Sequence, residues 1–566
     1  MKFQDMPYAR PDIERAKQLF SELTESLKSA SNFEQAKDAF LRIDEEYRHF
    51  ATLASLVYIR HEIDTRDAFY DEEQKFFDEV SPVLEEYMQN WSLALLASPF
   101  RPQFEEKYGK LMFLNTEIEL KTFSPEIIPD MQQENALVTE YSKLLASAQI
   151  QFENQVYTLS QLSPFKQDSD DERRYQAWKA EAGFYAQNSQ SLDRIYGELV
   201  VLRDKMAKKL GYENYIELGY YRMTRNDYTK EDIENFRAAV RRYLVPVADG
   251  IYRRQAERLG KTYPMSFADN ALAFRSGNPK PTGTSEDILA HGKVFYHDLS
   301  RETGEFIDFM YDNELLDVLS RTGKAGGGFC TSLPDYQSPF IFANFNGTSD
   351  DVEVITHEAG HAFAGYMAKD IVPIKLQSPT TEACEVHSMS MEFFAWPWSE
   401  GFFGNDTKKF KYTHLASALT FIPYGTMVDH FQHLIYEKPE MTPQQRHDAW
   451  KELLGIYMPW MRLDDLPFYG EAKGWQRQSH IYQVPFYYID YCLAQTVALQ
   501  FWALMMKDNK AAWDAYMWYT RPGGTKLFTE LVALAGLDSP FGDEALKKVC
   551  DTAKEWLETY DLSGII

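Results

Sequence analysis

The sequence predicts a mainly α protein. Three observations carry that expectation. Apolar residues recur at three- and four-residue spacing through most of the chain. No proline interrupts the stretch from Phe33 to Val80. Only one short region, residues 325–348, alternates as a strand does.

The first element is "IERAKQLFSELTESLKSA", which sets Ile13, Ala16, Leu19 and Phe20 on one helical face. From Phe33 to Val80 the pattern continues either as one very long helix or as two joined by a subtle bend. Helices longer than about 25 residues usually pack in bundles or arches. Breaks follow at 97–104 and 123–131, and the Pro- and Gly-rich "SGNPKPTGTSEDI" (276–288) is the clearest loop. No fixed-period repeat is present, which disfavours a solenoid. In "FIFANF", Phe340, Phe342 and Asn344 face one way and Ile341, Ala343 and Phe345 the other. "NGTSDD" then turns the chain into a helix, with Thr348, Ser349 and Asp350 as candidate caps. Late in the chain, "TVALQFWALMM" (496–506) is too short to span a bilayer and reads as a buried helix.

Composition narrows the function classes. The 566 residues carry 59 Lys+Arg against 85 Asp+Glu, a net charge of −26. That surface repels a phosphate backbone, so a nucleic-acid partner is not expected. The four cysteines form no Cys-x-x-Cys pair, which argues against a disulfide framework and a thiolate zinc site. No apolar leader or membrane-length run is seen, so the expected location is cytoplasmic, without a membrane partner.

The chemistry concentrates in "DVEVITHEAGHAFAGYM" (351–367). His357 and His361 are four residues apart and share a helical face, so both imidazoles can hold one ion. Glu358 sits beside them and can take a proton from a water that the ion acidifies. Ala359 and Gly360 are small and permit close packing. The alternative is an ordinary helix with three polar residues. A catalytic zinc site also needs a third protein ligand and an open position. A histidine six residues after the second is excluded, because that position is Met367. "SPTTEACEVHSMSMEFFAW" (378–396) offers Glu382, Glu385 and Glu392 on one stripe, with Ser378 as a candidate cap. Spacing alone does not choose among the three.

"DVEVITHEAGHAF" followed by "EACEVHSMSMEFF" resembles the thimet-oligopeptidase family of zinc metallopeptidases, most closely its oligoendopeptidase F branch. The resemblance implies two helical lobes around a deep channel, with a small sheet beside the active site. It implies Glu385, 24 residues past His361, as third ligand to one zinc ion per chain, and Glu392 as a second, non-ligating glutamate of the pattern. It divides the chain into an N-terminal helical region, 1–190, and a catalytic region, 191–566, both walling the channel. "GGGFC" and "FIFANFNGT" would line it, with Gly327, Gly328, Phe329, Ala343 and Phe345 offering backbone pairing to an extended peptide. In "SHIYQVPFYYIDYCLAQ" (479–495), His480 matches a family histidine. The oxyanion donors would come from Tyr482, Tyr487, Tyr488 and Tyr491, with Tyr488 and Tyr491 favoured and Tyr482 placed at the substrate. His387 is a candidate substrate contact, with a core role as the alternative. The implied function is zinc-dependent endopeptidase cleavage of short peptides, with Glu358 as base. The rivals are a zinc exopeptidase, which needs a cation such as Arg477 for the substrate carboxylate, and a noncatalytic peptide-binding helical protein.

Overall fold

The computed structural model describes residues 1–464 and 466–565. The stretch between Phe33 and Val80 is two helices, Phe33–Ile63 and the start of Ala68–Leu96. The break is made by aspartate rather than proline. Asp67 accepts from the backbone N–H groups of Phe69 and Tyr70 and caps the second helix, so the chain gains a new N-terminus there. These helices and Ile13–Lys28 share a core of Phe20, Phe40, Trp91, Phe104 and Phe113.

Two larger cores fill the rest. One is aromatic and joins the long helix Asp171–Lys209 to the second half of helix Thr407–Glu437 and to helix Pro443–Tyr457. The other buries a three-stranded sheet against the helices that carry the sequence motifs. In that sheet, strand Ser338–Phe345 is central, parallel to Leu316–Leu319 and antiparallel to Phe329–Leu333. Seven of its eight residues are buried, so its alternation does not separate a wet face from a dry one.

The central strand feeds helix Asp350–Ala368 through the turn at 346–349. The cap differs from the expectation. Ser349 occupies the cap position without a side-chain bond, and Asp351 reaches back from inside the helix. Its two oxygens accept from the N–H groups of Asn346 and Gly347, both at 2.8 Å. Helix Thr381–Phe394 begins after Thr380, two residues later than Ser378 would cap it. Helix Tyr488–Met505 contains the late apolar segment and is buried over most of its length. Among the described residues, no helix is long and apolar enough to cross a membrane. All four cysteines are free.

Candidate active site

Two helices bring the metal donors together. Helix Asp350–Ala368 carries His357, Glu358 and His361; helix Thr381–Phe394 carries Glu385 and Glu392. Gly360 sets how closely they approach. A Cβ there would stand 2.6 Å from Ser388 Cα and 2.7 Å from His387 O, inside the neighbouring backbone. With no side chain at 360, the histidines are carried down onto Glu385.

Glu385 Oε2 lies 3.2 Å from His357 Nε2 and 3.2 Å from His361 Nε2. Donors about 2.1 Å from a tetrahedral ion are roughly 3.4 Å apart, so this trio fits a zinc-sized cation. Among the described residues, the group of donor atoms within 4.8 Å of one another comprises His357, His361 and Glu385. Burial opposes ionisation of Glu385, but His361 and His357 outweigh it and hold the carboxyl well below the usual range. Glu385 is also held by Ser388 Oγ, 2.9 Å from Oε2, and by Tyr487 OH, 2.5 Å from Oε1.

The other two glutamates of the stripe have different partners. Glu382 accepts from Thr380 Oγ1 at 2.6 Å. Glu392 stands behind His357, with Oε1 2.6 Å from Nδ1. Its Oε2 is 2.8 Å from His414 Nε2, and His414 Nδ1 is 3.0 Å from Trp396 Nε1. An indole N–H only donates, so His414 Nδ1 accepts and its Nε2–H faces Glu392. Glu392 then receives the Nδ1–H of His357 and leaves Nε2 bare to ligate. Asp351, about one and a half turns earlier on the same helix, does not share this role. Asp351 is spent on the turn, and burial lifts its pKa to about 6.

Glu358 is 6% exposed, and burial pushes its carboxyl up while His357 and His361 oppose the shift. The glycine loop runs past it: a Cβ at Gly328 would stand 3.3 Å from Glu358 Oε1. Asn344 staples that loop, its Nδ2 donating to Ala325 O and Gly327 O, each at 2.9 Å. Phe329 stacks on Phe342 with centroids 4.6 Å apart.

The tyrosine segment needs correction. Tyr487, not Tyr488, reaches Glu385. Tyr488 is 8% exposed and packs against Phe421 and Tyr424. The cause is Phe486, whose φ of +68° puts a bulky residue in left-handed backbone just before the tyrosines. Its N–H donates to Gln432 Oε1 at 2.9 Å, its carbonyl accepts from Arg225 Nη2 at 2.5 Å, and its ring fills the space beside Gly219. Tyr487 and Tyr491 lie four residues apart with ring centroids 4.9 Å apart. Tyr491 OH is 3.0 Å from His480 Nε2, and His480 Nδ1 is 3.1 Å from Gln478 Nε2. The amide NH2 donates, so His480 accepts at Nδ1 and gives its Nε2–H to Tyr491, whose own proton is free. Burial pushes His480 down to about 4, which keeps it neutral, and pushes both tyrosines up, which keeps them protonated.

Four further candidates prove to be core residues. Tyr482 is fully buried and stacks on Tyr141 at 4.0 Å. His387 is 1% exposed beside Tyr516 and Tyr519, and burial pushes its pKa down to about 3. Ala343 and Phe345 are 0% and 6% exposed, at the end of the central strand beyond its pairing with Phe329–Leu333. The edge strands of the sheet are Leu316–Leu319 and Phe329–Leu333, and the second follows directly on the glycine loop beside Glu358.

Comparison with known proteins places the chain in a family. Residues 3–123 match the peptidase M3 N-terminal domain, and residues 293–550 match peptidase family M3. A solved structure of PZ peptidase A with an inhibitor is 46% identical, covering 99% of this chain and 100% of that one, at a TM-score of 0.98. The chain belongs to peptidase family M3. Within it, the M3 chain is similar to an oligoendopeptidase F homolog of Borreliella burgdorferi, 25% identical over 235 residues. It is also similar to oligopeptidase PepF of Bacillus subtilis, 22% identical over 269 residues. These matches span 39% and 46% of this chain and only 38% and 39% of those relatives. The mainly α fold with its small sheet is the one expected from sequence.

Proposed function

We propose that this M3 chain is a zinc-dependent endopeptidase acting on short peptides. The observation that carries the reading is a buried carboxylate, Glu358, set between a three-donor metal trio and an exposed glycine loop. When bound by His357, His361 and Glu385, zinc would supply a Lewis acid that acidifies a water and polarises a carbonyl. The chain's own groups do the rest. Glu358 accepts the proton of the attacking water and returns it to the departing amine. Tyr491 holds a proton that its burial prevents it from losing and donates it to the oxygen on which charge develops, while the Tyr487 hydroxyl stays hydrogen-bonded to Glu385 Oε1. His480 is a positioning residue: it points the Tyr491 hydroxyl. The edge of strand Phe329–Leu333 and the loop at Gly327 and Gly328 pair with an extended peptide backbone.

The boundary expected at residue 190 falls inside the continuous helix Asp171–Lys209, but a cavity of about 610 Å³ is walled from both regions. Tyr47, Glu85 and Asn115 line it from the N-terminal region, and Thr380 and Tyr487 from the catalytic region. A passage of that kind admits unfolded peptide and excludes folded protein.

Glu358→Gln is expected to keep the metal and lose turnover by about 10²- to 10⁴-fold, the usual share of a general base. The measurement is cleavage of an internally quenched peptide blocked at both ends, beside metal content. Turnover near wild type would remove Glu358 from the mechanism. Failure to cut any blocked peptide, with cutting of free ones, would turn the reading to an exopeptidase.

A further inference from the structure

Helix Thr407–Glu437 connects the back of the metal site to a second cavity. His414 on this helix holds Glu392, and Ser417, Thr420, Phe421 and Tyr424 follow at three- and four-residue spacing. Those four residues form one wall of a cavity of about 340 Å³. The opposite walls include Trp178, Trp450 and Tyr469, and Arg477 stands exposed at the rim. The volume is at the low end of ligand pockets, which run roughly 300–1,000 Å³, so it suits one large side chain.

The cavity adjoins the candidate oxyanion donors. Phe421 meets Tyr491 edge-on at 6.1 Å, and Tyr424 meets Tyr488 at 5.8 Å. Tyr424 OH donates to Gln478 Oε1 at 3.0 Å, and Gln478 orients His480. Tyr487, bonded to Glu385, lies 4.9 Å ring to ring from Tyr491, and Tyr491 lies 6.1 Å from Phe421, which puts the pocket wall roughly 10 Å from the metal donors. An extended peptide covers that distance in about three residues, at ~3.3 Å each.

We infer that this cavity is a specificity pocket for an aromatic side chain of the substrate, within three residues of the cut bond. The inference rests on the peptidase reading above. A ring buried here meets aromatic faces and edges on several sides, which a small side chain cannot exploit, and Arg477 at the rim repels a second cation. Arg477 supports the same occupant. Its guanidinium lies 5.9 Å from the Trp178 ring and 5.8 Å from the Tyr469 ring, and 3.9 Å from Glu181. Glu181 already accepts from Lys166 and from Tyr469 OH, and an incoming ring would add to the aromatic faces already set around the guanidinium.

The test uses blocked, quenched peptides that differ by Phe or Ala at each of three positions on either side of the cut. At one position, kcat/KM for Phe should exceed that for Ala by about tenfold or more, from burial of the ring. Leu454→Trp, which fills the cavity from its wall, should bring that ratio close to one, and Leu454→Met should keep it. No position with an aromatic preference, or a ratio unchanged by Leu454→Trp, overturns the pocket. If Leu454→Trp does not fold, Met461→Trp at the less buried part of the wall replaces it. If wild type cuts no peptide at all, the peptidase reading falls separately. The pocket is then judged by calorimetric titration with N-acetyl-phenylalanine methylamide. Heat that the filling variant abolishes supports the pocket, and no heat overturns it.

Discussion

An indole that can only donate governs the contacts behind His357. Trp396 fixes His414, His414 fixes Glu392, and Glu392 presents the ligating nitrogen. Trp396→Phe keeps the ring packing and removes the donor. Metal affinity is expected to fall about tenfold or more, the usual cost of losing an outer hydrogen bond to a ligand. Competition against a chromophoric chelator measures it, and an unchanged affinity would mean that Trp396 is packing alone. At this scale the sequence was partly legible. His357, Glu358 and His361 are visible because their spacing is itself a geometry. Glu385 is not, because Glu382, Glu385 and Glu392 differ only in what other helices place against them. Tyr487 was passed over for Tyr488 because one left-handed residue rotates the start of that helix, and Phe486 does not announce a positive φ.

Helix contacts have their own arithmetic. In an exposed helix, Gly→Ala stabilises by up to about 1 kcal/mol. At Gly360 the sign reverses, since the added methyl meets main chain at 2.6 Å and main chain cannot step aside as a flexible side chain would. Overpacking of this kind costs roughly 1–3 kcal/mol. Gly360→Ala is therefore expected to lower the thermal midpoint and, by lifting the histidines off Glu385, to weaken metal binding as well. A stabilised variant with intact metal binding would show that the helices can separate freely. The helical majority, the strand region at 325–348 and the buried late helix were readable, whereas the strands Ile150–Phe152, Gln155–Tyr157 and Leu316–Leu319 were not. Nor was pairing. The alternation of "FIFANF" suits a strand with either one or two neighbours, and only the register shows it to be central, with the edges left to Leu316–Leu319 and Phe329–Leu333.

One buried charge cluster ties distant parts of the molecule. Arg203 donates to Glu134 Oε1 at 2.6 Å, to Tyr482 O at 2.6 Å and to Tyr436 OH at 3.1 Å, and Arg222 donates to Glu134 Oε2 at 2.8 Å. Burial alone would raise the Glu134 pKa, but Arg222 and Arg203 bring it from 4.5 down to about 2. A carboxyl depressed on folding stabilises fully above its unfolded pKa and loses that contribution as pH falls through the folded one. Urea midpoints should therefore decline between about pH 4.5 and pH 2 on account of this group. Glu134→Gln should cost on the order of 3–5 kcal/mol at neutral pH, the penalty for stranding buried charge, and should flatten that decline. An unaltered acid limb would exclude Glu134 as its source. None of this was legible in the sequence, where Glu134, Arg203 and Arg222 look like surface residues of amphipathic helices.

The left-handed Phe486 carries an implication for how this fold can drift. A Cβ at position 219 would lie 2.6 Å from the Phe486 ring, so the ring and the missing side chain are two halves of one fit. Neither can be exchanged alone without disturbing the backbone that aims Tyr487 at Glu385. Across a lineage, the two positions should mutate as a linked pair or stay fixed together. A transplant of this tyrosine segment into another helical scaffold would have to bring its glycine partner, 267 residues upstream, along with it.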